Sequence, residues 1–224
     1  RRFRDEISCD RAKSWRRALK LRKAQVAGSF YSGTKTALTS EIEECFTHRL
    51  GPGRLPILAH VGDRKLVGLV CPHAGYVYSG PVAARSYFEV ASDGKPEEIV
   101  IIGPNHTGQG SGVSMMPEGV WETPFGQVEI DRETATAISK ASGIIDIDER
   151  AHLYEHSIEV QLPFLQYVLK TRFDFVPICM MMQDLETSAE VGKAVGEALK
   201  GTNALIIASS DMTHYESAES AKRK

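Results

Sequence analysis

The chain has no run of 18 apolar residues, so nothing in it reads as a transmembrane helix. No apolar core stands near its start, and the signature of a secretory leader is missing. Only four cysteines occur in 224 residues (Cys9, Cys45, Cys71 and Cys179), and no two of them form a C-x-x-C pair. A zinc ribbon is therefore unsupported. Cys71 and Cys179 sit in apolar runs of strand length and read as buried thiols rather than disulfide partners, which fits a reducing cytoplasm. A formal net charge of −2 gives no electrostatic reason to expect nucleic acid as a partner. Gly28-x4-Gly33-Thr-Lys35-Thr36 misses a phosphate loop by one inserted residue and follows no apolar strand. Gly108-x-Gly110-x-Gly112 lacks the dinucleotide register and opens no helix. No G-x-S-x-G elbow is present, which weighs against a Ser-His-Asp hydrolase built from Ser79, Ser209 or Ser210 with Asp211 and His214.

What is present points to one α/β domain of ordinary composition, 42% hydrophobic and 25% charged, long enough to bury its own core. Residues 1–21 stand apart. Within residues 1–23 ten are Lys or Arg against three acids, and Ala12, Trp15 and Leu19 fall on one side of a short basic helix. The reading adopted is a solvated extension that contacts neither membrane nor nucleic acid.

From there the pattern alternates. A helix is expected over 34–50, a strand over 66–71, and a helix opening at Ser79-Gly80-Pro81, with proline in its first turn, to about Val90. A strand over 99–102 leads into a Gly-rich loop over 103–112. Short strands follow at 113–116 and 127–130. Asp131 caps a helix to about Ser142. A helix over 155–169 must kink or break at Pro163. A strand over 173–180, a helix over 187–200 ended by Gly201, and a strand over 204–208 complete the series. Strands separated by helices of 10–15 residues imply right-handed crossovers and a mostly parallel sheet flanked by helices.

Three strands share one grammar: an apolar run, a turn, a histidine. They lead to Pro72-His73, to Gly103-Pro-Asn-His106, and to Ser209-Ser-Asp211-Met-Thr-His214. Ligands of open α/β sheets bind beyond the carboxyl ends of the strands, so neighbouring strands would bring these side chains to one pocket. Histidine is a metal ligand and an acid or base. His73 and His106 are read as metal ligands, and Asp211 could supply a carboxylate to iron(II). His214, His156 and Asp211 are read as the proton-handling set. Tyr76 and Tyr78 could stack on a small-molecule substrate or donate a hydrogen bond, or simply pack. His48, His60 and His152 have no comparable setting and are expected at the surface. The competing reading is a peptide- or protein-binding module that uses the same cleft without catalysis.

Five collinear blocks carry a family resemblance: Val26-Ala-Gly-Ser-Phe-Tyr31, Pro72-His73-Ala-Gly-Tyr76-x-Tyr-Ser-Gly80, Gly103-Pro-Asn-His106, Glu155-His156-Ser-Ile-Glu-Val-Gln-Leu-Pro163 and Ser209-Ser-Asp211-Met-Thr-His214-Tyr215. From about residue 22 to the end, the chain resembles the Memo family, named for mediator of ErbB2-driven cell motility. Its prokaryotic members are called AmmeMemoRadiSam system protein B. The resemblance implies an α/β sandwich like the catalytic subunit of class III extradiol dioxygenases, which use non-haem iron(II). It implies copper or iron bound by two histidines and a cysteine, the histidines matching His73 and His106. Asp211, His214 and His156 would line the same cleft as auxiliary acid–base groups. Eukaryotic members are linked to redox signalling and to phosphotyrosine-peptide binding. The family's ligand cysteine matches none of the four here and would lie beyond Lys224. Residues 22–224 are therefore expected to be a Memo-like domain without its C-terminal segment.

Overall fold

The computed structural model describes residues 20–59 and 64–224, so most of the basic extension, with Cys9 and His60, lies outside the described residues. Nine strands run in chain order as β1 (Leu21–Arg22), β2 (Gly68–Cys71), β3 (Glu98–Pro104), β4 (Val113–Met115), β5 (Val120–Thr123), β6 (Gly126–Ile130), β7 (Asp146–Ile147), β8 (Asp174–Met180) and β9 (Ala204–Ser209). The helices are α1 (Lys35–Thr47), α2 (Tyr76–Asp93), α3 (Arg132–Ala141), α4 (Leu162–Leu169), α5 (Leu185–Ala198) and α6 (Ala218–Arg223). Together they form a mixed, mostly parallel nine-stranded sheet in the order β1-β5-β6-β8-β3-β9-β2, with β4 antiparallel to β8 and paired to β7. The expected α/β class therefore stands, and the histidine-bearing strands β3, β9 and β2 are adjacent and parallel.

Alternating residues along these strands feed two cores. Ile99, Ile101, Leu205 and Ile207 pack with Ala84, Tyr87 and Val90 of α2 and with Phe164 and Leu165 of α4. Val100, Val176 and Ile178 face the other way, against Ala135 and Ile138 of α3 and Val191 and Val195 of α5. A sheet covered on both faces requires near-continuous apolar strands, which is why β3 and β8 show no polar alternation. Each fully buried large side chain, such as Trp121 or Phe175, contributes roughly 1.5–3 kcal/mol of apolar burial.

Helix starts follow local chemistry. Asp131 caps α3 as expected, accepting from the Glu133 and Thr134 N–H groups at 3.0 Å, and Asp184 does the same for α5 through Thr187 N–H at 2.9 Å. Two expectations need correction. α2 opens at Tyr76 rather than Ser79, so Pro81 lies inside the helix. The earlier start is fixed from both sides: the Gly75 carbonyl accepts from Tyr78 and Ser79 N–H, and buried Tyr76 donates its hydroxyl to Val160 O at 2.7 Å. The helix expected over 155–169 is instead a turn, a 3-10 segment over Glu159–Gln161, and then α4, which places Pro163 in the first turn where its missing N–H costs nothing.

One buried network ties the amino-terminal strand to the segment carrying His156. The Arg22 guanidinium donates to His152 O at 2.6 Å, to Glu155 O at 2.6 Å and to the Glu159 carboxylate at 2.7 Å. It also lies 3.9 Å over the Trp121 ring. Glu159 is fully buried and accepts further from the Gln25 and Val26 N–H groups and from the Tyr31 hydroxyl. Every lone pair of that carboxylate is directed at a donor, which is what makes a buried ion pair tolerable.

Candidate metal centre

His73 leaves β2 through Pro72, His106 leaves β3 through Asn105, and His156 arrives from the turn braced by Arg22. Each of the three offers one ring nitrogen within 4.8 Å of the other two. Ring centroids are 5.1 Å apart for His73 and His106, 5.7 Å for His73 and His156, and 4.5 Å for His106 and His156. His73 and His106, read from the sequence as ligands, are thus brought together. His156, read as an acid–base group, stands in the same cluster.

The Nδ1 atoms of His73 and His106 are held from behind. The Ser209 hydroxyl donates its one proton to Ser157 O at 2.6 Å and accepts from Gln161 Nε2 at 2.8 Å. Its 3.0 Å contact with His73 Nδ1 must therefore have the histidine as donor, which leaves Nε2 with a bare lone pair. Glu155, 1% exposed, does the same for His106 and lies close to the His156 ring. Its Oε1 lies 2.9 Å from His106 Nδ1 and 3.3 Å from His156 Nδ1. The carboxylate also accepts backbone N–H groups from His106 at 2.6 Å, His156 at 2.8 Å and Ser157 at 2.9 Å. Burial by itself would raise the Glu155 carboxyl, but these hydrogen bonds outweigh it and hold the group below its ordinary value. A carboxylate behind ligating imidazoles is the usual arrangement that fixes tautomer and ring orientation at a metal.

Protonation favours the same use. Burial pushes His73 down to about 4, with His106 and His156 adding to the effect and Asp211 opposing it. Burial also lowers His156. Both rings are therefore neutral near pH 7, the form that ligates metal. Neutral His73 holds its Nε2 3.8 Å from Asp211 Oδ2, two acceptors close together. A cation between the rings removes that conflict. Three imidazole nitrogens suit zinc, copper, iron or nickel, so the residues present fit a first-row transition ion.

Asp211 and His214 form a separate pair at the rim. Asp211 Oδ1 accepts His73 N–H at 2.8 Å, and Oδ2 lies 3.0 Å from His214 Nε2. Burial works against the Asp211 charge, yet the His73 N–H and the two nearby histidines hold its carboxyl below the ordinary value. Asp211 thus stands beside the three-histidine group rather than in it, with Oδ2 3.8 Å from His73 Nε2. Phe30 packs on His156 with centroids 4.6 Å apart and walls one side of the cleft. Tyr76 is a buried packing residue, whereas Tyr78 is exposed.

Several site details escaped sequence reading. Glu155 was legible only as the neighbour of His156, and its buried position depends on the turn before the 3-10 segment. Ser209, considered as a nucleophile, is a positioning hydroxyl. His152, expected at the surface, is fully buried at the end of a 3-10 turn (Glu149–His152), packed edge-on to Trp121 with centroids 6.0 Å apart. The reason is the Arg22 bond to its carbonyl, a contact across 130 residues that no local pattern reports. His48 is exposed as expected. The glycine loop after β3 also has a packing purpose. Gly110, at φ 85°, presses against Ala151, and a Cβ there would come within 2.8 Å of the 149–152 turn.

Among the described residues no helix is long and apolar enough to cross a membrane. The sequence pattern described as Memo-like protein matches residues 22–224. A MEMO1 family protein of Methanothermobacter thermautotrophicus, MTH_45, is 55% identical over 197 residues, covering 87% of this chain and 70% of that protein. A MEMO1 family protein of Methanopyrus kandleri, MK0963, is 52% identical over 205 residues, 91% of this chain and 72% of its own length. A third, MJ0403 of Methanocaldococcus jannaschii, is 49% identical over 213 residues, 92% and 73% respectively. On the strength of a family match across nine-tenths of its length and relatives near half-identical, the chain belongs to the Memo-like protein family.

Proposed function

We propose that this chain is a metal-binding protein whose cleft holds one iron or copper ion on His73, His106 and His156. The observation that carries the reading is that His73, His106 and His156 bring ring nitrogens within 4.8 Å of one another, with Ser209 hydrogen-bonded behind His73 and Glu155 behind His106. Iron or copper would supply Lewis acidity and one-electron chemistry when bound. The chain's own groups do the rest. Glu155 balances positive charge from beneath and keeps the His106 ring turned inward. Asp211 accepts from His214 Nε2, which leaves His214 Nδ1 to exchange protons between solvent and cleft. Phe30 excludes water from one side of His156. The chemistry so supported is oxidoreduction of a small molecule admitted over the Asp211–His214 rim.

Elemental analysis of protein purified without added metal tests this. The expected result is close to one iron or copper per chain, lost on His73→Ala and on His106→Ala while unfolding by urea stays cooperative. Protein that remains metal-free after incubation with iron(II) and with copper, yet is folded, overturns it.

A further inference from the structure

A cavity of about 630 Å3 opens at the end of the sheet away from the histidines. It lies beside the amino ends of β6 and β8, which run parallel to each other and to β3, whereas His73 and His106 follow the carboxyl ends of β2 and β3. Its walls are one stripe of α1 that carries Lys35 and Glu43, the end of α4 with Tyr167, the 170–173 loop, and the hairpin between β5 and β6. Pockets that bury small organic ligands span roughly 300–1,000 Å3, so the space suits one molecule of that kind.

One wall is a fixed aromatic surface. The Tyr167 ring stacks on Phe46 with centroids 5.7 Å apart and planes 26° apart. Its hydroxyl donates to Glu43 Oε1 at 3.1 Å. The half-buried ring is thus held from two directions where it lines the cavity, and Phe125 and Phe173 add to the same lining. Charge around it is unevenly spent. Arg172 is engaged by Glu129 at 2.7 Å and by Asp174 at 3.7 Å. Lys35 and Lys170 are exposed, and neither forms a salt bridge among the described residues. Lys170 also stands where glycine would be less costly. It directly follows α4 in the left-handed conformation, φ 54° and ψ 8°, with its N–H donating to Gln166 O at 3.2 Å. Backbone held in a costly conformation clusters at ligand sites.

We propose that this cavity is a second ligand site, separate from the histidine cluster, for a small planar aromatic molecule that carries a phosphate, such as a nucleoside monophosphate. The ring lies on Tyr167, and the ammonium groups of Lys35 and Lys170 hold the phosphate. Two cations match the nearly double negative charge of a phosphate monoester better than the single charge of a carboxylate. The grip is by side chains rather than by the amino end of α1, where the Thr34 hydroxyl already accepts Ala37 N–H at 3.4 Å. Lys35 therefore serves phosphate without the glycine loop that its sequence setting fails to complete.

Titration with AMP, followed by amide chemical shifts in 15N-labelled chain, tests this. The account expects saturable shifts at residues 170–173, with adenosine and inorganic phosphate each binding at least tenfold more weakly, since each keeps only one half of the recognition. Lys170→Gly removes the ammonium and relieves the left-handed backbone. It should weaken AMP binding about tenfold while the thermal midpoint stays level or rises, so that lost binding is not lost fold. Lys35→Ala should weaken AMP binding in the same way. Four results each overturn the inference: no shifts at 170–173 at about 10 mM AMP, inorganic phosphate binding as tightly as AMP, adenosine binding as tightly as AMP, or AMP affinity unchanged in Lys170→Gly.

Discussion

Replacing Glu155 by glutamine probes the site's foundation with the smallest change of shape. Glu155 accepts His106 Nδ1–H and the N–H groups of His156 and Ser157 on Oε1, and His106 N–H on Oε2. An amide can keep its oxygen at the Oε1 position and satisfy three of these donors. Its NH2 group must then face the His106 N–H across a gap that is 2.6 Å in the parent. Donor opposes donor, a charge-assisted bond is lost, and the buried N–H goes unpaired, at a cost of about 1.5–3 kcal/mol. The chain relieves the clash by moving residue 106, which turns the imidazole away from the cluster. Loss of an outer carboxylate behind a ligating histidine lowers metal affinity about 10–100-fold, or roughly 1.4–2.7 kcal/mol of binding. Competition against a chromophoric chelator reads the affinity, and urea unfolding reads the stability separately. A folded Glu155→Gln chain that binds metal within twofold of the parent would refute the reasoning, because the carboxylate would then be structural alone.

Further expectations follow from the same contacts. Arg22→Met strands the fully buried Glu159 carboxylate, so it should cost about 3–5 kcal/mol and lower Tm by roughly 6–20 °C; a change under 1 kcal/mol in urea unfolding would contradict the pairing. Burial lowers the folded-state value of His152 to about 3, with Arg22 acting in the same direction and Asp148 and Glu155 opposing. Its neutral form therefore adds stability that is complete above pH 6.5 and is lost as pH falls from there toward 3. His73 adds to this trend down to about pH 4. The urea midpoint should drop between pH 7 and pH 5, and His152→Phe should flatten that drop; equal slopes for parent and variant would show that His152 is not held neutral. Ser209→Ala frees His73 Nδ1 and removes the acceptor for Gln161, and should weaken metal binding about tenfold with His73→Ala epistatic to it. Additive losses in the double variant would break the proposed chain of contacts.

How much of this was open to reading from the sequence differs by element. β3 and β8 announce themselves as unbroken apolar runs because both faces are covered, and Asp131 marks its helix because capping is a local interaction. Position 76 as the start of α2 could not be read that way, since a long-range bond from Tyr76 to Val160 O overrides the usual position of proline. The small hairpin strand Val120–Thr123 has too few residues to show its period. In the site, His73 and His106 were visible because each follows a strand into a turn. The gathering of His156 with them rests on Arg22 holding the Glu155 carbonyl from 133 residues away. His152 was misread for the same reason, as burial set by a distant guanidinium leaves no periodic trace.

The central claim is that three imidazoles, those of residues 73, 106 and 156, grip one ion. Electron paramagnetic resonance of the copper(II)-loaded chain counts them directly when histidine is labelled with 15N. The account predicts hyperfine coupling to three equivalent-class nitrogens, reduced to two by His156→Ala. Coupling to two nitrogens or fewer in the parent, unchanged by His156→Ala, would contradict it.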